Sequence, residues 1–320
     1  MLMDVCVANL KADKNMYILA YNNDSQSVFL RLKTLGLPEV ICDLICDKRD
    51  VSDVLVNYYE TQPIETKNIE IGKAYFNIWK PGLISPSIKT QLGYDDVQKN
   101  RAKRDLSILV QKLQEILLYV EPTKEGLSSF SHKTRELLLL ASTEVENSLR
   151  LYLDDPDSKK AKTEDFINIL NKVDLKKYKI VFNGYSEVFS CQPFEHWTKE
   201  KPTQSLSWYN SYNQTKHNKD KYFNQATLEN VLYAVAASVV MFCIRYSPYA
   251  IFSENDFYSN IIRNFIDVTI PNIDIADIYI PKISGVKTYS GAYFVSKNFL
   301  NGKQIDDIYD MPQIECMHFE

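Results

Sequence analysis

Glycine is scarce in this chain, at 9 of 320 residues. Neither GxGxxG nor GxxxxGK[ST] occurs, which excludes the glycine loops that cradle nucleotide phosphates. Histidine is scarcer, at 4. The 6 cysteines (Cys6, Cys42, Cys46, Cys191, Cys243 and Cys316) form no CxxC pair. A metal site needs further Cys or His partners at short spacing, and none follow. The cysteines read as reduced structural thiols. Cys42 and Cys46 stand at i and i+4 in ICDLICD, as on one face of a helix. Glu195-His196 lacks an HExxH context. No metal and no cofactor is expected.

The longest apolar run, VLYAVAASVVMFCI at 231–244, has 14 residues. That is short of the roughly 20 that span a bilayer, so the run reads as a buried helix. The N-terminal MLMDVCVANLKADKN has no basic stretch followed by an apolar one, unlike a signal peptide. A cytoplasmic protein with no membrane partner is expected.

What is present is an ordinary globular balance, 45% apolar and 24% charged, with tyrosine abundant at 21. The net charge of −4 is unlike that of a generic DNA-coating protein. Charge is uneven, however. Lys199, Lys201, Lys216, Lys219 and Lys221 face only Glu200 and Asp220 between residues 198 and 223. Residues 253–320 carry ten acids and five bases. A basic patch on an acidic body follows.

Three regions emerge. Residues 1–98 read as a small α/β lobe: strands at NMYILAY, SVFLRL and KAYFNIWKPG, and a helix at LPEVICDLICDKRDVSDVLVNYYE opened by Pro38. Residues 99–250 read as a helical domain. Leu106, Leu109, Val110, Leu113, Ile116, Leu117 and Val120 recur at helical spacing before Pro122. A second long helix spans 131–153 with Ser131 as N-cap. A short helix with Thr163 as its cap, a helix and bend at 205–220, and a buried helix at 226–246, capped by Asn224 or Thr227, follow. Between them, 176–197 mixes short strands and turns. Residues 251–320 read as a C-terminal strand and loop extension packed on the bundle, with strands at IDIADIYIP and GAYFVSK and a loop at GKQIDDIYDMP. The fold class is α+β, mainly α.

On a helix over 131–153, Leu137, Leu140, Ala141, Val145 and Leu151 form an apolar arc that includes Glu144. An acid there needs a partner or a proton; it reads either as a structural hydrogen bond or as a carboxylate lining a pocket. Glu146 and Arg150 fall opposite, as an exposed i, i+4 pair worth about 0.3–0.5 kcal/mol. Over 206–218, Tyr209, Asn213 and His217 make a polar stripe. Asn213 can orient His217, a natural acid–base group, beside the phosphate-binding Lys216 and Lys219. Equally, Asn213 and His217 can simply end a helix. Phe194, Trp197 and Trp208 either stack bases or clamp a loop to the core.

The ordered set RELL…EVE, PFEHW, WY–YN–KH and F–AT–NV–A, over roughly 130–245, resembles an uncharacterised family of bacterial helical proteins. That family resembles the HEPN superfamily of nucleic-acid-linked helical domains. The resemblance implies a central HEPN-like bundle at 99–250, a homodimer, and an RNA-directed role in bacterial stress or phage defence. Either a metal-independent endoribonuclease or a catalytically silent binding module fits it. The superfamily's polar residue and histidine map to Asn213 and His217. Its arginine position is held by Tyr212, so Lys216, Arg135 or Arg150 would supply the missing charge.

Overall fold

The computed structural model describes residues 92–153, 189–252 and 254–271 throughout; elsewhere it describes the strands and short elements named below and a few residues beside them. The chain divides into two compact units, residues 1–93 with 273–318, and residues 94–272. The expected extension at 251–320 is therefore shared between them. The fold is α+β, with helix outweighing strand.

The first unit is built on an antiparallel sheet of six strands. β1 (Leu2–Asn9), β2 (Met16–Asn23), β3 (Gln26–Leu35), β4 (Leu37–Ile45) and β5 (Glu65–Glu70) are joined by β10 (Ser290–Tyr293) in the order β10-β4-β3-β2-β1-β5. Ile18, Leu19, Ala20 and Tyr21 are all buried, so β2 is covered on both faces. β4 corrects the first part of the helix expected over 37–60, whereas residues 55–57 of that stretch are helical. β4 pairs with β3 from Ser27–Ile45 to Leu35–Leu37, and Cys42 stands opposite Leu30. Val40, Ile41 and Ile45 suit a pleated strand. Pro38 sits at the turn end of this hairpin, where its missing N–H disturbs the ladder least. Cys46 lies outside the described residues. β6 (Lys73–Tyr75) pairs in parallel with β11 (Glu315–Met317). Within IDIADIYIP, expected as a strand, Ile275–Asp277 form a 3₁₀ turn, and most of the remainder lies outside the described residues. Most of GAYFVSK beyond Tyr293, and all of GKQIDDIYDMP, lie outside the described residues.

The second unit is mainly helical: α1 (Asp96–Leu117), α2 (His132–Arg150), α3 (Thr163–Phe166), α4 (Ser207–His217), α5 (Lys219–Tyr222), α6 (Leu228–Tyr246), α7 (Tyr249–Phe252) and α8 (Phe257–Phe265). A three-stranded antiparallel sheet, β8 (Ser190–Cys191), β7 (Lys179–Phe182) and β9 (Ile266–Thr269), completes it. Caps mark the starts. The Asp95 side chain accepts from Gln98 N, and Ser131 and Thr134 form a reciprocal capping box. Thr227 caps α6 and Asp256 caps α8. Thr163 is the first residue of α3 rather than its cap, which is Lys162. Between α1 and α2 the 3₁₀ turn Gly126–Ser128 has no room for a side chain: a Cβ on Gly126 would stand 1.9 Å from Glu121 O.

α6 is the axis of the unit. Sixteen of its 19 residues are buried. By composition it is long and apolar enough to cross a bilayer, yet 83% of its most apolar window is enclosed by protein, as for a core helix. Ala234, Ala236, Ala237 and Ser238 keep its surface low, and Ser238 Oγ donates to Ala141 O of α2 at 3.2 Å. The apolar arc of α2 is rotated from the expected one. Leu138 and Leu149 are buried, while Leu140 and Leu151 are partly exposed.

Candidate functional site

α4 positions most of the residues singled out above. Its inner face, Trp208, Tyr209, Ser211, Tyr212 and Thr215, is buried, and Lys216 and His217 are exposed at its end. Asn230 of α6 fixes the helix from below, donating to Ser211 Oγ at 3.0 Å. Asn218 ends α4 and caps α5, accepting from Lys221 N.

The centre of the α2–α4 contact is Glu146. Tyr209 OH donates to one carboxylate oxygen at 2.7 Å and Tyr212 OH to the other at 2.9 Å. Lys216 Nζ donates to Tyr212 OH at 2.7 Å, lies 3.8 Å from Glu146 and sits over the Tyr212 ring at 4.8 Å. Burial, then the Glu146 hydrogen bond, pushes the Tyr209 hydroxyl above its usual range. The hydrogen bond to Tyr212 and the Glu146 charge raise Lys216. Glu146 therefore does not stand in an exposed pair on the outer face of α2. Its side chain is 19% exposed and turned inward. Arg150 is half-buried near enough for its charge to act on Lys216.

The expected partnership of Asn213 with His217 is not what the amide makes. Asn213 Nδ2 donates to Tyr209 O at 2.9 Å, one turn back along its own helix. His217 is exposed and makes no side-chain hydrogen bond to a described residue. Arg135 reaches the same end of α4, donating to Thr215 O at 3.0 Å. A cation suits the negative end of a helix dipole. Glu144 goes elsewhere. It lines a cavity with α1 and α6, and burial followed by the Asp105 charge raises its carboxyl above the usual range. His217, Asn213 and Glu144 do not share one cleft.

Phe194, Trp197 and Trp208 are 0–1% exposed, so they stack no ligand. The indole N–H groups of Trp197 and Trp208 donate to Pro202 O and Pro193 O, clamping the loop before α4. Instead, different aromatics stand at the basic end. Phe223 packs edge-on against Phe130 at 5.7 Å and against the His132 ring at 4.8 Å, and Phe130 is 49% exposed. The sequence signal was the pair of residues flanking the Ser131 cap, Phe130 and His132, beside the lysine-rich 216–221. Among the described residues no three His, Cys, Asp or Glu side chains gather as metal ligands.

No protein-family model matches the chain, nor does any curated protein or solved structure.

Proposed function

We propose an RNA-directed, HEPN-like protein of bacterial stress or phage defence, acting as a binding module that pairs as a homodimer. One observation carries the reading. The half-exposed Phe130 and the Phe223–His132 contact adjoin the exposed Lys216, His217, Lys219 and Lys221. Single strands are held by this combination, with cations along the phosphates and aromatic faces against the bases. Lys216 and Asn213 are engaged within the protein, and Tyr212 is buried against Glu146. Those engagements favour binding over cleavage.

The exposed imidazole of His217 supports a second reading, endoribonuclease action. His217 would take the proton of a ribose 2′-hydroxyl as its oxygen attacks the adjacent phosphorus. The bond to the 5′-oxygen would break, leaving a 2′,3′-cyclic phosphate and a protonated 5′-hydroxyl. Arg135 of α2, which donates to Thr215 O two residues before His217, would face the phosphate charge.

Incubation with fluorescent single-stranded RNA in EDTA separates the two. Binding measured by anisotropy, weakened by Lys219→Glu with Lys221→Glu and without cleavage, is the expected result. Cleavage lost in His217→Ala would favour the nuclease. Neither binding nor cleavage would overturn the RNA assignment.

A further inference from the structure

Away from the α4 end, the helical unit holds a cavity of about 500 Å³ between α1, α2 and α6, and no α4 residue lines it. Its walls are apolar at Leu109, Met241 and Phe242. Its charges are segregated. The Lys112–Glu136 and Lys133–Glu115 pairs set α1 antiparallel to α2. The Leu228–Ser129 and Ser238–Ala141 hydrogen bonds set α6 parallel to α2. In that register Asp105 and Glu144 stand together, while Arg101 and Arg245 stand about one helical turn further along, toward the C-terminal end of α6.

These groups are incompletely satisfied by the protein. Glu144 makes no hydrogen bond or ion pair to a described residue, and the charge that acts on it is another carboxylate, Asp105. Asp105 has Arg104 at 3.6 Å, so Glu144 is the acid left without a cation, and burial adds to its cost. Arg245 Nη2 donates to Gln98 Oε1 at 3.1 Å, but its Nε is buried and has no hydrogen-bond partner. Arg101 is exposed at the rim and makes no ion pair to a described residue. An ammonium beside Asp105 and Glu144 would give the half-buried Glu144 the cation it lacks. A carboxylate would match the planar fork of an arginine.

We infer that this cavity binds a small zwitterion, with its ammonium at Asp105 and Glu144, its carboxylate at Arg101 and Arg245, and an apolar chain separating the charges by about 6–9 Å. The site goes beyond the RNA reading, which rests on other residues.

The probe is 6-aminohexanoate, titrated calorimetrically into the full chain, with hexanoate and hexylamine as controls. Saturable binding of the zwitterion, at least about tenfold tighter than either control, is expected. Glu144→Gln should abolish its advantage over hexanoate, and Arg101→Gln its advantage over hexylamine. Both variants remove groups that bond nothing described, so their melting temperatures should match the parent. If either unfolds, Asp105→Asn and Arg245→Gln carry the same two comparisons. Absence of saturable binding, or binding equal to that of the controls or unchanged in the variants, overturns the proposal.

Discussion

The Glu146 carboxylate joins two helices through three groups. Both its oxygens accept tyrosine hydroxyls, and Lys216 closes the set from the exposed side. A half-buried carboxylate holding such donors is costly to remove, because the hydroxyls lose their acceptor in a dry contact. Glu146→Ala should lower the unfolding free energy by about 1–3 kcal/mol in urea. A double-mutant cycle with Tyr212→Phe should return a coupling of about 0.5–3 kcal/mol. Additive effects within error would mean that the hydrogen bond to Tyr212 contributes nothing. None of this was visible locally. Helical periodicity places Glu146 beside Arg150 on the outer face, opposite the leucine arc, whereas the carboxylate turns inward against α4. Its partners lie on α4, more than sixty residues later, and no local pattern names them. The same applies to Asn213. The i, i+4 spacing allowed a bond forward to His217, and the amide turned back to the Tyr209 carbonyl instead.

At the scale of elements, the long helices were legible because burial repeats at their own period. α1 and α2 carry apolar residues every three or four positions, α6 stands out as one continuous apolar run, and α2 and α6 start at Ser and Thr caps. β4 was not, because a proline followed by apolar residues at i and i+4 imitates a helix start, and only pairing with β3 and β10 decides it. α8 went unread, although Asp256 and Ser259 carry its cap and Ile262 and Phe265 its buried face. That cap also ties α8 to α1. Lys103, 1% exposed, donates to Asp256 at 2.7 Å and to Glu254, and Lys99 joins Glu254 and Asp96. Burial alone would raise the Asp256 carboxyl, but hydrogen bonds from Lys103 and Ser259 hold it down to about 2. A carboxyl depressed on folding stabilises above its unfolded value near 4 and loses that contribution as pH falls toward 2. Stability should drop across that window, and Asp256→Asn should flatten the drop while lowering stability at neutral pH. Urea midpoints between pH 2 and 7 test it; an identical acid profile in the variant would remove Asp256 from the account. For α6 the expectation is harsher. Val239 is fully buried, so Val239→Asp places an unpaired charge in the core and should abolish soluble expression. A soluble variant with an unchanged melting temperature would mean that α6 is not the axis of the bundle.

At the scale of the molecule, net charge and local charge pull in opposite directions. The chain carries −4 overall, and that field repels a polyanion at long range. The α4 end presents Lys216, Lys219 and Lys221 with His217, and Lys133 lies at the start of α2. Salt screens both effects over about 8–10 Å near physiological ionic strength, so the contact lysines dominate once RNA is seated. Lys216 is partly neutralised by Glu146 and Lys133 by Glu115, which leaves about two cations, Lys219 and Lys221, for phosphate contact. Each such contact on a single strand contributes about 0.7 to the slope of log affinity against log salt. The slope for single-stranded RNA should therefore be shallow, about −1.4, and Lys219→Glu with Lys221→Glu should flatten it by more than one unit. The partition of the remaining affinity follows from the aromatics. Base stacking is insensitive to salt, so Phe223→Ala should weaken binding equally at low and high salt and leave the slope unchanged. Anisotropy titrations across a salt series measure both. A steep slope unaffected by the lysine variants would place the RNA on another surface, and a Phe223→Ala protein of unchanged affinity would remove stacking from the interaction.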